Sequence, residues 1–192
     1  MHLIYWGRFE QAILEVRRAE ELDPTDVFIT SNVAQVLYFA RRYDEAIEQS
    51  RRVSELNPNF GQVYNWMTRA YEMKGDEQAA FAAHLKQAEA RETGADEIAK
   101  LKAAFATGGL KGYWRRELDR LLEREKSRYV AQLSIAILYA RLGEKEQALA
   151  RLYKAIEDHN LYVTALQVEP IWDSYRADPR FVALVRRVGL AP

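Results

Sequence analysis

The sequence repeats itself with a period of 34 residues, and this repeat restricts the possible folds more than any other feature. GRFEQAILEVRRAEELDP at residues 7–24 is matched by RRYDEAIEQSRRVSELNP at residues 41–58. Leu22 aligns with Leu56, and Pro24 aligns with Pro58. A period in this range is typical of an array of small units, each of which buries its apolar face against its neighbours.

Three series of equivalent positions continue this period to about residue 158. The first is mostly glycine, the second large and apolar, and the third mostly alanine: Gly7, Arg41, Gly75, Gly109, Gly143; Leu3, Leu37, Tyr71, Phe105, Tyr139; Ala12, Ala46, Ala80, Trp114, Ala148. The glycine series predicts a turn inside each unit, because glycine adopts backbone conformations that other residues resist. The alanine series predicts that helix backbones approach one another closely.

Each unit is predicted to contain two helices. Val33, Val36 and Leu37 recur at the spacing of an amphipathic helix face. A second helix containing Tyr43 and Ala46 is predicted to stop at 57–58, because Pro58 cannot continue a helix and disfavours helical geometry in the residue before it.

This pattern resembles the tetratricopeptide repeat (TPR). The matching positions are Val33, Ala34, Leu37, Tyr43, Ala46 and Pro58 in repeat 2, Tyr64, Met67, Tyr71, Gly75 and Ala80 in repeat 3, and Ile135, Ala136, Tyr139, Gly143, Ala148, Leu152 and Ala155 in repeat 5. The resemblance implies an all-α fold, a right-handed TPR superhelix of antiparallel helix pairs with a C-terminal capping helical segment.

We therefore expect a TPR array over residues 1–158 and a cap over 159–192. The array comprises a truncated repeat 1, repeats at 27–60 and 61–94, a divergent repeat at 95–128, and a last repeat at 129–158. The divergent repeat carries Lys102 and Trp114 where small residues are usual, so we expect a shifted or tilted helix pair there.

The predicted cap is anchored by aromatic residues. Pro170 and Pro179 each mark a helix start, Asp178 is a good N-cap, and Trp172, Tyr175 and Phe181 are expected to pack as anchors. The apolar groove positions of repeat 5, Val130, Leu133 and Ile137, are expected to be covered by residues 161–175.

A narrower resemblance links the chain to the C-terminal repeat region of large bacterial regulators. It rests on YFARRYDEAIEQSRRVSELNPNF, RLGEKEQAL and LQVEPIWDSYRADPRFVALVRRVGL. In such regulators a winged-helix DNA-binding domain or a Ser/Thr kinase domain lies upstream. The resemblance thus implies a cytoplasmic fragment of a larger regulatory protein.

Composition and motifs argue against an enzyme. The 28 Lys and Arg residues balance the 28 Asp and Glu residues, which disfavours nucleic-acid or polybasic membrane binding. No cysteine is present, and the three histidines fall in different parts of the chain without zinc-ligand spacing. We expect no catalytic residues, cofactor or metal, and no membrane span.

The remaining expectation is a binding module for a protein or peptide. In the resembling family the first helix of each repeat faces a concave groove, which maps here to Phe28, Asn32, Gln35, Tyr38, Phe39, Asn65, Trp66, Arg69 and Glu72. Amide groups suit a peptide backbone, and a guanidinium suits a carboxylate. Aromatic groups suit side chains that the peptide buries.

The alternative is a structural or dimerisation segment with no separate ligand. Ile4, Tyr5, Trp6 and Val16 in the truncated first repeat lack half of their usual neighbours. We expect them to bury themselves by self-association or by rearrangement.

Overall fold

The computed structural model describes residues 2–189 and contains no strand among them. The α-helices are α1 His2–Tyr5, α2 Phe9–Leu22, α3 Val27–Phe39, α4 Tyr43–Leu56, α5 Gly61–Lys74, α6 Glu77–Ala90, α7 Ala95–Glu125, α8 Gln132–Arg141, α9 Lys145–Glu157 and α10 Pro179–Arg187, and two 3-10 helices span Leu161–Ala165 and Pro170–Tyr175. The predicted all-α class is confirmed. The first residue of repeat 1 and residues 190–192 of the predicted cap lie outside the described residues.

The turn series predicted from the period has the predicted backbone conformation. All five positions have positive φ: Gly7 (70°), Arg41 (62°), Gly75 (75°), Gly109 (58°) and Gly143 (78°). In four repeats the turn leads directly into the second helix, α2, α4, α6 or α9. Arg41 has a positive φ like the glycines, which carries a steric cost for a residue with a Cβ.

The chain forms two compact units, an N-terminal unit (Met1–Lys100) and a C-terminal unit (Leu101–Pro192). In the N-terminal unit neighbouring helices pack as pairs from α1 to α6. Val33, Val36, Leu37, Ala46 and Ala80 are buried, as their spacing predicts. α4 ends at Leu56, so the stop predicted at Asn57-Pro58 is confirmed.

Helix α7 contains the break predicted for the divergent repeat. Its backbone leaves helical geometry at Gly108 and Gly109, which divides the element into two helical arms. A Cβ on Gly112 would overlap the backbone oxygen of Ala104, so a glycine there allows the arms to approach closely. Trp114, which stands where alanine is usual, packs partly buried against the cluster around Leu118.

The end of the C-terminal unit folds onto the α8–α9 pair. Trp172, Tyr175 and Phe181 belong to one buried cluster with residues of α8 and α9, and the Trp172 and Tyr175 rings meet edge to face at 5.3 Å. The Asp178 side chain accepts a hydrogen bond from the Arg180 N–H (2.9 Å), which caps α10. The predicted anchors and N-cap are therefore confirmed, whereas the boundary between array and cap at residue 158 stays a prediction.

Candidate functional site

The candidate groove consists of the nine predicted positions on α3 and α5. α3 starts where predicted because the Asp26 side chain accepts hydrogen bonds from the N–H groups of Phe28 (2.7 Å) and Ile29 (3.0 Å). α5 ends at Lys74, and Gly75 continues the chain in the left-handed conformation. α3 and α5 contact one another, so their predicted groove residues lie in a single unit.

Three of the predicted aromatic residues lie in the interior. Tyr38, Phe39 and Trp66 are all buried, with ring centroids 5.4–5.9 Å apart. The Arg69 guanidinium lies over the rings of Tyr38 (4.7 Å) and Trp66 (5.1 Å), where the ring faces attract its charge. These side chains form a packed base for the groove, and their contact with a partner stays a prediction.

The exposed part of the set is mainly polar. Asn32, Gln35 and Asn65 are half-buried, and Phe28 is exposed. Because Asn32 and Gln35 are three residues apart on α3, and Asn65 lies on the contacting α5, amide groups come from both helices. Amide groups satisfy both the donors and the acceptors of a peptide backbone.

Two buried polar atoms of the candidate groove have no hydrogen-bond partner in the described part of the chain. They are the Gln35 Oε1 acceptor and the Trp66 Nε1 donor. A buried polar atom without a partner costs about 1–3 kcal/mol.

Glu72 faces the neighbouring helix. Its carboxylate is almost fully buried, and Oε1 lies 3.2 Å from Nε2 of His84 on α6. The resemblance described above placed Glu72 in the groove. The pair instead joins α5 to α6, so partner contact by Glu72 stays a prediction that the geometry does not favour.

The equivalent groove surface of repeat 5 is covered by the chain itself. Leu133 is buried in one cluster with Val163, Leu166 and Trp172, and Ile137 packs against that cluster. Val130 is buried separately, against Leu118, Ile135 and Leu138. None of the three side chains is bare, and the predicted cover by residues 161–175 is confirmed for Leu133 and Ile137.

The N-terminal end of the chain partly buries its own apolar residues. Ile4 is fully buried within the chain, and Tyr5 and Val16 are half-buried, so part of the expected burial occurs within the chain itself. Trp6 remains 70% exposed. A small groove of about 180 Å³ lies between α1, α2 and α3 and is lined by Leu3, Ile4, Ala12, Glu15, Val16, Asn32 and Val36.

Two polar networks that lie partly in the interior were not predicted from the sequence. Gln49 donates to a Glu20 carboxylate oxygen and to the Thr30 carbonyl (3.2 Å), and Arg17 donates to both Glu20 (3.0 Å) and Gln49 (3.2 Å). The network ties α2, α3 and α4 together. The available signal was a glutamine between Ala46 and Val53 on the apolar face of α4.

A second network of the same residue types lies in the C-terminal unit. Gln132 donates to Glu125 (2.7 Å), and Arg151 donates to Glu125 and to Gln132 (2.7 Å). The hydrogen bonds from Arg151 and then Gln132 lower the pKa of Glu125 below its ordinary value. The network joins the end of α7 to α8 and α9.

The described residues offer no group of three or more His, Cys, Asp or Glu side chains arranged to hold a metal ion. Among residues 2–189, no helix combines the length and the apolar character needed to cross a bilayer.

The helix pairs and their 34-residue spacing define an all-α array of helical repeats, in which each repeat packs against its neighbours. The sequence matches no protein-family model, and no curated protein matches it significantly. Among solved structures, the chain is similar to one described as the crystal structure of MamA, with 16% identity over 94% of this chain and 86% of that chain and a TM-score of 0.41. A similarity of this size carries no conclusion about function.

Proposed function

We propose that this protein is a non-catalytic interaction module that binds a peptide or an extended segment of a partner protein in the candidate groove. The observation that carries the proposal is the set of half-buried amides, Asn32, Gln35 and Asn65, on the contacting helices α3 and α5. An extended peptide offers carbonyl acceptors and N–H donors with which side-chain amides can pair. The Arg69 guanidinium, which lies over the Trp66 ring on α5, adds a positive charge to this region.

Its setting within a larger cytoplasmic bacterial regulator is part of the same proposal. It is supported by the resemblance of the repeat and tail segments to the C-terminal regions of such regulators. In that setting the groove would dock either another protein or another domain of the parent chain.

The test uses a random peptide library displayed on phage, followed by calorimetry with the selected peptides. We expect Asn32→Ala and Asn65→Ala each to weaken binding by about twofold to tenfold, the effect of a net hydrogen bond of about 0.5–1.5 kcal/mol. Asn59→Ala is the matched control, because Asn59 is an exposed amide in the loop before α5. Equal affinity for all three variants and the unmodified chain would contradict groove binding.

Self-association through the N-terminal end is a second candidate, favoured by the exposed Trp6 ring and by Leu14, which is 66% exposed on α2. Sedimentation equilibrium tests it with Trp6→Ser and Leu14→Ser. A concentration-dependent dimer that these variants abolish supports this candidate, and a monomer at high concentration contradicts it.

A further inference from the structure

The candidate groove adjoins a small pocket at Asn32. This pocket is the space of about 180 Å³ between α1, α2 and α3 described above, and we call it the N-terminal pocket. Ala12 and Val16 on α2, like Asn32 and Val36 on α3, are four residues apart, so each pair shares one helix face. Because Asn32 lines the pocket and also supplies one of the groove amides, the two sites are continuous.

Most of the wall of the N-terminal pocket is apolar. Five of its seven lining residues are Leu, Ile, Ala or Val, and Ile4, Ala12 and Val36 among them are buried. An apolar cavity of about 150 Å³ is large enough to hold benzene. A space of about 180 Å³ with such walls therefore accepts one aliphatic side chain of the size of leucine.

The other two lining residues, Glu15 and Asn32, are polar. Glu15 is exposed and Asn32 is half-buried, so both lie at the mouth of the pocket rather than at its base. Within residues 2–189, neither side chain forms a hydrogen bond or an ion pair with another residue. The mouth therefore offers a carboxylate and an amide to a ligand.

The wall of the pocket carries one negative charge, that of Glu15. Among the described residues, no Lys, Arg or His lines the pocket. Arg18, one turn further along α2, neither lines the pocket nor pairs with Glu15. A cationic group of a ligand at the mouth therefore has a partner in Glu15, whereas an anionic group there has none.

The apolar base and the acidic mouth together select the kind of cation. A lysine or arginine side chain that entered the pocket would carry its charge in among the buried apolar walls, which is costly without a paired charge. The first residue of a peptide instead carries its ammonium group on Cα, beside its side chain. An aliphatic side chain there fills the pocket while the ammonium group stays at the mouth, next to Glu15.

A free amino acid fits the pocket less well than a peptide does. Its carboxylate would lie near Glu15, and no described lining residue carries a positive charge to pair with it. In a peptide the same carbonyl group is a neutral acceptor, for which the amide of Asn32 is a donor.

We infer that the N-terminal pocket binds the first residue of a peptide, an aliphatic residue of about the size of leucine with a free α-ammonium group. Glu15 pairs with the ammonium group, Asn32 donates to the first carbonyl, and the aliphatic side chain packs against Val16 and Val36. The inference rests on the proposed function, because the following residues of that peptide lie in the candidate groove.

The experiment uses the tripeptide Leu-Gly-Gly amide as the probe, titrated into the full chain and followed by NMR at pH 6.5, where an α-amine is charged. We expect shifts of the methyl signals of Leu3, Ile4, Val16 and Val36. Gly-Gly-Gly amide, which lacks the side chain, should bind about tenfold more weakly or less. The N-acetylated probe, which lacks the charge, and free leucine, which adds a carboxylate, should also bind more weakly than the probe.

Glu15→Gln keeps the shape of the side chain and removes its charge. It should weaken binding of the probe about twofold to fivefold, the range for an exposed ion pair. Glu21→Gln is the matched control, because Glu21 is exposed on the same helix and does not line the pocket. Thermal melts monitor folding of both variants.

Three results would overturn the inference. They are equally tight binding of the acetylated probe or of free leucine, equal affinity of Glu15→Gln and Glu21→Gln for the probe, and a titration that leaves the pocket methyl signals unmoved.

Failure of this inference and failure of the proposed function give different results. Asn65 does not line the pocket, so Asn65→Ala should leave binding of the short probe unchanged while it weakens binding of the library peptides. If the library peptides bind through Asn65 but the probe does not bind, only the pocket inference fails. If the probe binds through Glu15 but Asn65→Ala leaves the affinity of the library peptides unchanged, only groove binding fails.

Discussion

Single residues set the turns of this molecule, and Gly75 shows how. It links α5 to α6 with φ of 75°, and a Cβ built on it would meet nothing within 4 Å. Any cost of a side chain at this position therefore comes from the backbone conformation rather than from a clash. Arg41 bears this cost at the equivalent position of the preceding repeat.

We expect Gly75→Ala to lower the free energy of unfolding by about 1–2 kcal/mol, because an L-residue resists the left-handed conformation. Urea unfolding followed by circular dichroism measures the change. Gly94→Ala is the control, since Gly94 also has open space around it but no positive φ. Equal losses of unfolding free energy in Gly75→Ala and Gly94→Ala would show that the backbone conformation of Gly75 does not cause the destabilisation.

Residue patterns predicted more of the fold than of the candidate site. The 34-residue period predicted the turn at Gly109 even inside the divergent repeat. It could do so because a turn with positive φ favours glycine, whatever the surrounding helices contact. The burial of Tyr38, Phe39 and Trp66 and the turn of Glu72 toward His84 were not foreseen. Both depend on which neighbouring helix a side chain meets, and a repeat pattern does not encode that choice.

At the scale of the helix, α7 depends on close contact between its two arms. We expect Gly112→Ala to destabilise the protein by about 1–3 kcal/mol, because the added methyl group overlaps the Ala104 backbone and forces the arms apart. Gly108→Ala is the matched control, because nothing lies within 4 Å of its Cβ position. Chemical denaturation measures both, and a neutral Gly112→Ala would contradict the close approach.

We expect the attachment of α10 to depend on pH, because Asp178 caps this helix. Hydrogen bonds from Arg180 hold the pKa of Asp178 well below its ordinary value of 3.8, with Lys145 contributing further. Since the folded pKa is lowered, the stabilisation is present above pH ~4 and is lost as the pH falls below it. Asp178→Asn keeps the N-cap but removes the charge.

We therefore expect Asp178→Asn to lower the melting temperature at pH 7 and the difference from the unmodified chain to shrink at pH 3. Thermal melts across this range measure it. Asp119→Asn, at an exposed position on α7, is the control. A melting-temperature difference between Asp178→Asn and the unmodified chain that stays constant with pH would show that the charge of Asp178 is not involved.

At the scale of the whole molecule, each compact unit contains buried clusters of its own. We expect Trp172→Ala to cost about 3–5 kcal/mol, because a large buried side chain is lost from the cluster around α8, α9 and α10. In a repeat protein such losses act mainly on neighbouring elements. Hydrogen exchange should accelerate in α8–α10 more than in α3–α5.

Trp6→Ala is the matched control for Trp172→Ala, because the Trp6 ring is 70% exposed and its removal should change stability by less than about 0.5 kcal/mol. Equal acceleration of exchange in α3–α5 and α8–α10 for Trp172→Ala would contradict local action.

The segment that covers Leu133 and Ile137 also limits the number of ligands that one chain can bind. A surface occupied by its own chain is closed to outside ligands unless that segment is displaced, and the buried Trp172 anchor makes displacement costly. Of the two groove surfaces, the one on α3 and α5 keeps its amides partly accessible, so we expect a groove ligand to saturate the protein at one molecule per chain.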